Sequence, residues 1–105
     1  MKAIYVVYAD WCPHCVPTTV EPIESLGKEV GVPVVLYDID SEDVKRADEL
    51  VEKHGDWTPD YLIPQVFVEE DDGKIEHLMT GDRRGLQYTR RAVERTLERL
   101  RSERS

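Results

Sequence analysis

Between an apolar run and a helical stripe near the amino terminus stands Trp11-Cys12-Pro13-His14-Cys15, which holds the only two cysteines of the chain. The run before it, Ile4-Tyr5-Val6-Val7-Tyr8, is apolar on both faces, so residues 2–9 read as a central strand. After it, over residues 13–30, apolar side chains recur at Val16, Val20, Ile23, Leu26 and Val30, and Gly31 can end the helix. Pro17 lies close enough to the helix start to be tolerated, whereas Pro22 predicts a kink. Residues 32–37 read as a second buried strand. A strand, a helix and a strand in so short a span predict a right-handed βαβ unit with parallel strands. The two thiols are thereby expected at a strand-to-helix junction.

The remaining elements follow by the same signals. Asp40 or Ser41 can cap a second helix with its stripe at Val44, Ala47, Leu50 and Val51 and its stop at Gly55. Residues 55–62 have a loop composition with two large aromatics, Trp57 and Tyr61. Residues 64–69 predict a third strand, Glu70-Asp71-Asp72-Gly73 a turn, and residues 74–79 a fourth, antiparallel strand. Thr80, Gly81 and Asp82 break the sheet. Residues 85–104 then form a last helix with Leu86, Val93, Leu97 and Leu100 inward. The order β-α-β-α-β-β-α is an α/β arrangement, and 105 residues at 40% apolar suit a single domain over 1–105.

A net charge of −8 argues against nucleic acid as a partner. That charge is uneven: residues 1–82 hold 6 Lys and Arg against 19 Asp and Glu, whereas 83–105 hold 8 against 3. The basic end reads as a solvated amphipathic helix whose arginines sit favourably near its carboxyl terminus. An arginine face that docks an acidic partner is the other reading. Lys2 leads directly into a β-like run and no stretch approaches membrane-spanning length, so a cytoplasmic monomer without membrane contact is expected. In a reducing compartment a cysteine pair is redox-active or metal-binding before it is a structural staple.

Thiols spaced C-x-x-C at a helix N-terminus suit thiol–disulfide exchange, because the helix favours the thiolate and two intervening residues let the sulfurs meet. Cys12 is the expected nucleophile and Cys15 the resolving thiol. Pro13 stiffens the first turn, and His14 as imidazolium would stabilise the thiolate and make the pair more oxidising. A metal module is the rival class, but a structural zinc site needs four ligands. His54 and His77 fall at a helix end and on the fourth strand, in no ligand spacing. A third class, a binding domain without catalysis, leaves both cysteines unexplained.

The element order, with Trp11-Cys12-Pro13-His14-Cys15 after the first strand and Ile63-Pro64 before the third, resembles the thioredoxin superfamily over nearly the whole chain. The size resembles its minimal, glutaredoxin-like form. Trp11 before Cys12 is similar to thioredoxins, Cys-Pro-x-Cys and Pro64-Gln65-Val66-Phe67-Val68 to glutaredoxins, and the Pro13-His14 pair to DsbA-type oxidants. The chain departs from these patterns at Ala9, where glutaredoxins often have a basic residue, and at Val6, where thioredoxins carry a buried Asp. Of the glutaredoxin Gly-Gly pair and nearby Asp, only Gly81 and Asp82 remain. The resemblance implies a mixed four-stranded sheet of order 2-1-3-4 with helices on both faces. It also implies a cis Ile63-Pro64 bond that turns the Ile63 backbone towards Cys12; without the C-x-x-C, a trans proline opening an edge strand would be the default. Trp11, Ile63, Pro64, Gly81 and Asp82 are the implied substrate-binding positions, with Trp57 and Tyr61 as candidate rims. The implied activity is protein-disulfide oxidoreduction on disulfide-containing proteins. A redox-active Cys12–Cys15 disulfide would serve in place of a bound cofactor, no metal is implied, and a reductase or glutathione would donate electrons. A glutathione-dependent glutaredoxin and a DsbA-like oxidant or isomerase are the alternatives.

Overall fold

The chain runs β1 (Ala3–Tyr8), a π-helical turn (Val16–Val20), α1 (Glu21–Val30), β2 (Val34–Asp38), α2 (Val44–His54), β3 (Gln65–Glu69), β4 (Ile75–Thr80) and α3 (Leu86–Arg104). The structure, a computed structural model, describes residues 1–104. The four strands form one sheet in the order β2-β1-β3-β4, with β1 and β2 parallel and the other pairs antiparallel. This is the order the resemblance implies.

Alternation along β1 divides the interior in two. Ile4 and Val6 pack with Val66 and Val68 of β3 beneath α1 and α3, whose Ile23, Leu26, Val93 and Leu100 complete that core. Val7 faces the opposite side, with Phe67 and with Ala47, Leu50 and Val51 of α2. Period-2 alternation on a strand covered from both sides produces this division. Each fully buried Ile, Leu or Val contributes about 1.5–3 kcal/mol, so packing rather than propensity holds the polar α3 in place. No helix among the described residues is long and apolar enough to cross a membrane.

Several expectations need correction. β2 begins at Val34 and is an edge strand, each of its residues half-buried rather than buried, because only β1 flanks it. α2 begins at Val44, not directly after Asp40 or Ser41. Those residues form a turn of their own, in which the Ser41 hydroxyl donates to Asp38 O (2.7 Å) and accepts the Asp43 N–H (3.1 Å). The kink expected at Pro22 is taken up as the π turn, in which Val20 and Glu21 N–H bond five residues back to Cys15 O and Val16 O. That wider register relieves the clash a proline ring makes with the carbonyl four residues before it. In α3 the inward stripe includes Thr89 and Thr96, both buried, while Leu86 is half-buried.

Gln65, fully buried at the start of β3, organises the loop between α2 and β3. Its side chain accepts the Asp56 N–H (3.0 Å) and donates to Asp56 O (3.1 Å) and Leu62 O (2.8 Å). Gly55 must be small here, since a Cβ would lie 2.4 Å from Gln65 Oε1 and 2.7 Å from Phe67 Cζ. Gln65→Leu keeps the volume but orphans three backbone groups. Urea unfolding should show a loss of about 2–4 kcal/mol at unchanged m-value; a loss under about 0.5 kcal/mol would show that the amide network does not hold the loop.

Candidate active site

Because Val7 pairs with Gln65 in the antiparallel register, the residues that follow β1 and those that precede β3 meet at one end of the sheet. There Ala9, Cys12 and Cys15 form a small buried cluster, with Tyr8, Ile39 and Ile63 packed against it. Two short turns carry the chain through it, from Cys12 N–H to Ala9 O (3.2 Å) and from Cys15 N–H to Cys12 O (3.0 Å). The Cys15 carbonyl then accepts both Thr19 N–H (2.9 Å) and Val20 N–H (2.8 Å), so Cys15 caps the helical segment. Cys12 was expected at that N-terminus and instead precedes it by three residues. Pro17 explains the offset, since a proline suits the first helical turn and sets its start at Val16.

Cys12 and Cys15 approach to 3.3 Å and are not joined. A disulfide bond measures about 2.05 Å, so a small displacement closes it. The two thiols are unequal: Cys12 is 7% exposed and Cys15 wholly buried. Burial pushes the Cys15 thiol well above its ordinary value, the Ala9 backbone N–H works against that shift, and neighbouring Cys12 and Asp38 add to it. The inner thiol therefore holds its proton, while Cys12 keeps a small part of its surface exposed.

The dipeptide between the cysteines is tied down by three threonines. The Thr18 hydroxyl donates to Pro13 O (3.0 Å) and the Thr19 hydroxyl to His14 O (2.7 Å). His14 Nδ1 lies 2.7 Å from Oγ1 of Thr89, a fully buried residue of α3 that also accepts the Asp82 N–H at 2.9 Å. None of the three was singled out from sequence. The available signal was a hydroxyl residue inside an otherwise apolar helical stripe, as at Thr89, four residues before Val93.

Ile63-Pro64 is cis, as the resemblance implies, and Pro64 is buried. Its carbonyl accepts the Gly81 N–H at 2.7 Å. A Cβ on Gly81 would lie 2.6 Å from Ile63 O and 2.6 Å from Pro64 Cδ, so this glycine serves the close approach of β4 to the proline loop. The N–H and C=O of Ile63 have no hydrogen-bond partner among the described residues. Asp82 joins the site through its backbone, while its carboxylate is engaged by Arg84 (2.7 Å to Nη2, 2.9 Å to the backbone N–H). Those hydrogen bonds lower its carboxyl to about 2.

Trp11 is 69% exposed beside the cysteines, its indole N–H bonded to Asp40 Oδ2 at 2.7 Å. Trp57 and Tyr61 form an edge-to-face pair at 5.3 Å in the loop leading to Ile63, with Tyr61 packed towards α2. The Tyr61 hydroxyl and the Asp48 carboxylate face each other without a hydrogen bond of ordinary geometry, and burial there raises the tyrosine well above its usual value. His77 sits apart on β4, bonded to Thr80 Oγ1 at 2.7 Å, and His54 ends α2. Among the described residues the carboxylates that come together as cation ligands would are Glu70, Glu76 and Glu103, a group that contains neither cysteine. Comparison with family models, curated proteins and solved structures gives no match to this chain.

The raised Cys15 thiol has a consequence for stability. Its contribution is complete below the ordinary thiol value of 9.0 and is lost as pH rises towards the folded value, because the unfolded chain releases that proton first. The reduced protein should lose stability above pH 9 more steeply than Cys15→Ala; parallel pH profiles of the two in urea would remove burial as the cause. At neutral pH, iodoacetamide should modify Cys12 at least about tenfold faster than Cys15, as mass spectrometry of the single-cysteine variants would record.

Proposed function

We propose that this protein is a thiol–disulfide oxidoreductase of the thioredoxin-like kind, acting on disulfides of other proteins. The observation that carries the reading is the unequal thiol pair at 3.3 Å, packed against a cis-proline loop whose Ile63 backbone is unpaired. Cys12, the less buried of the two thiols, releases its proton to solvent and attacks one sulfur of a substrate disulfide as the thiolate. A Cys12–substrate bond forms, the substrate S–S bond breaks, and the first substrate sulfur leaves as a thiolate that takes a proton from solvent. Cys15 then loses its proton and attacks the Cys12 sulfur, forming the Cys12–Cys15 bond and expelling the second substrate thiol. Two electrons pass from the protein to the substrate. The dithiol of a reductase, or two glutathione thiols that leave as glutathione disulfide, restores the pair in the reverse sense.

The surrounding residues supply orientation. The unpaired N–H and C=O of Ile63 can receive an extended substrate segment as an added strand, beside the exposed face of Trp11. His14 is placed by Thr89 so that its charge, when protonated, acts on the reduced pair from a fixed position. Stabilising the thiolate in this way favours the reduced protein and makes its disulfide more oxidising.

In an insulin-reduction assay, Cys12→Ser should fall to background, whereas Cys15→Ser should accumulate a mixed disulfide visible on a non-reducing gel. Turnover by Cys12→Ser, or no internal disulfide in the wild type under oxidant, would overturn the assignment. The reduction potential tests the histidine. His14→Gly should lower it, and Thr89→Val should shift it in the same direction while leaving a folded protein. A Thr89→Val potential equal to wild type would reduce Thr89 to a packing residue.

A further inference from the structure

We infer that the groove between β4 and α3 binds an extended acidic segment of a protein substrate, guiding it towards the cysteines. The groove has a volume of about 540 Å³, with Arg84, Arg91, Arg95 and Arg99 in its lining and Leu78 to Thr80 as its floor. The four arginines differ. Arg84 is held by Asp82 at the end nearest the cysteines, and Arg99 is bonded to Glu76 at the far end. Arg91 and Arg95 lie between them, exposed, and have no carboxylate partner among the described residues. Tyr88 lies under the guanidinium groups of Arg84 (4.3 Å) and Arg91 (5.7 Å), which orders that part of the rim. In a chain with 22 acidic residues against 14 basic ones, two adjacent unpaired cations along one groove form a positive patch on a negative molecule.

Spacing and topology identify the occupant. Arg91, Arg95 and Arg99 follow one another at four-residue intervals, a rise of about 6 Å along a helix. Alternate residues of an extended chain stand about 6.6 Å apart, so a strand with an acid at every second position matches this row. β4 is an edge strand bonded only to β3, leaving backbone on its outer side for such a segment to pair with. The near end of the groove is formed by Asp82, whose N–H bonds Thr89, the residue that holds His14. An acidic strand seated here leads to the thiol pair from the α3 side. The role as a guide rests on the redox reading, whereas the binding itself does not.

The probe is a cysteine-free twelve-residue peptide alternating glutamate and threonine, titrated into the reduced full-length protein and followed by amide chemical shifts. Shifts should map to residues 78–80 and 91–99. Affinity should fall about tenfold between low and physiological salt, and about tenfold again in R91E/R95E. R91Q/R95Q, which introduces no repulsion, should fall between wild type and the charge reversal. Equal affinity within twofold in both double variants, or shifts elsewhere, would overturn the inference. So would displacement of the peptide by an equal concentration of pyrophosphate, which marks a small-anion site. Salt-sensitive dimerisation through residues 91–99 would overturn it in favour of a second copy of the chain.

A second arm separates the two readings. A disulfide peptide carrying the acidic segment should be reduced with about tenfold lower kcat/KM by R91E/R95E than by wild type, and the same disulfide without the segment equally by both. Reduction of neither peptide by either protein would overturn the redox reading and leave the titration to decide the groove. Equal kcat/KM on the tagged peptide, with binding intact, would overturn the guiding role alone.

Discussion

The antiparallel register of β1 and β3, with Val7 opposite Gln65, is the constraint on which the site depends. It sets Ile4 and Val6 against Val68 and Val66 on one face, and Tyr5 against Phe67 on the other, so a slip of one residue would exchange the two cores. Both cores therefore defend one register. The same register decides which loops meet: the chain leaving β1 carries Cys12 and Cys15, and the chain entering β3 carries Ile63 and Pro64. Side-chain packing along β1 and β3, rather than contacts at the thiols themselves, thus sets which loops meet. Gly81 completes the arrangement from β4, since any larger residue would push against the Ile63 carbonyl and the Pro64 ring.

Within that frame, the dipeptide between the cysteines is fixed by hydroxyl groups. A single such bond contributes about 0.5–1.5 kcal/mol net, a modest sum for stability but enough to select one orientation. The contact between His14 Nδ1 and Thr89 has a particular chemical property. Thr89 Oγ1 already accepts the Asp82 N–H, which leaves a lone pair and a proton. It can donate that proton to a neutral imidazole or accept from an imidazolium. The ring can therefore keep this partner whether Nδ1 donates or accepts, which holds His14 in one place between the cysteines.

Much of this was legible in the chain. β1 announced itself as central by being apolar at every position from Ile4 to Tyr8, and the stripes at Val44, Ala47, Leu50 and Val51 marked the helix that forms. Gly31 and Gly55 ended helices for separate reasons: Gly31 takes a left-handed φ of 72°, while Gly55 is extended and is small because Gln65 and Phe67 crowd it. What stayed hidden depends on tertiary contact or on a rare local geometry. The π turn has no periodicity of its own, and Pro22 signalled only that a regular helix would fail. β2 read as buried because Val34, Val35 and Leu36 are apolar, yet its place at the sheet edge comes from the order of pairing. Thr89 was not singled out in the α3 stripe, because its importance lies in His14, 75 positions earlier in the chain.

The uneven charge has a structural logic that runs through α3. Its inward stripe, Thr89, Val93, Thr96 and Leu100, fastens the helix to the core and to the cysteine loop, while the adjoining flank carries Arg91, Arg95 and Arg99. A helix turns 100° per residue, so Tyr88, Ala92, Arg95 and Arg99 form a row beside the inward stripe and line the groove. Six arginines fall on this helix from Leu86 to Arg104, and Arg101 and Arg99 tie it to Glu29 of α1 and Glu76 of β4. These exposed pairs contribute little to stability individually. Their larger effect is to spend some of the positive charge on the acid-rich body at the far end of the helix. The cations left over are then concentrated between Tyr88 and Arg99, where one element carries both the clamp on His14 and the positive field beside it.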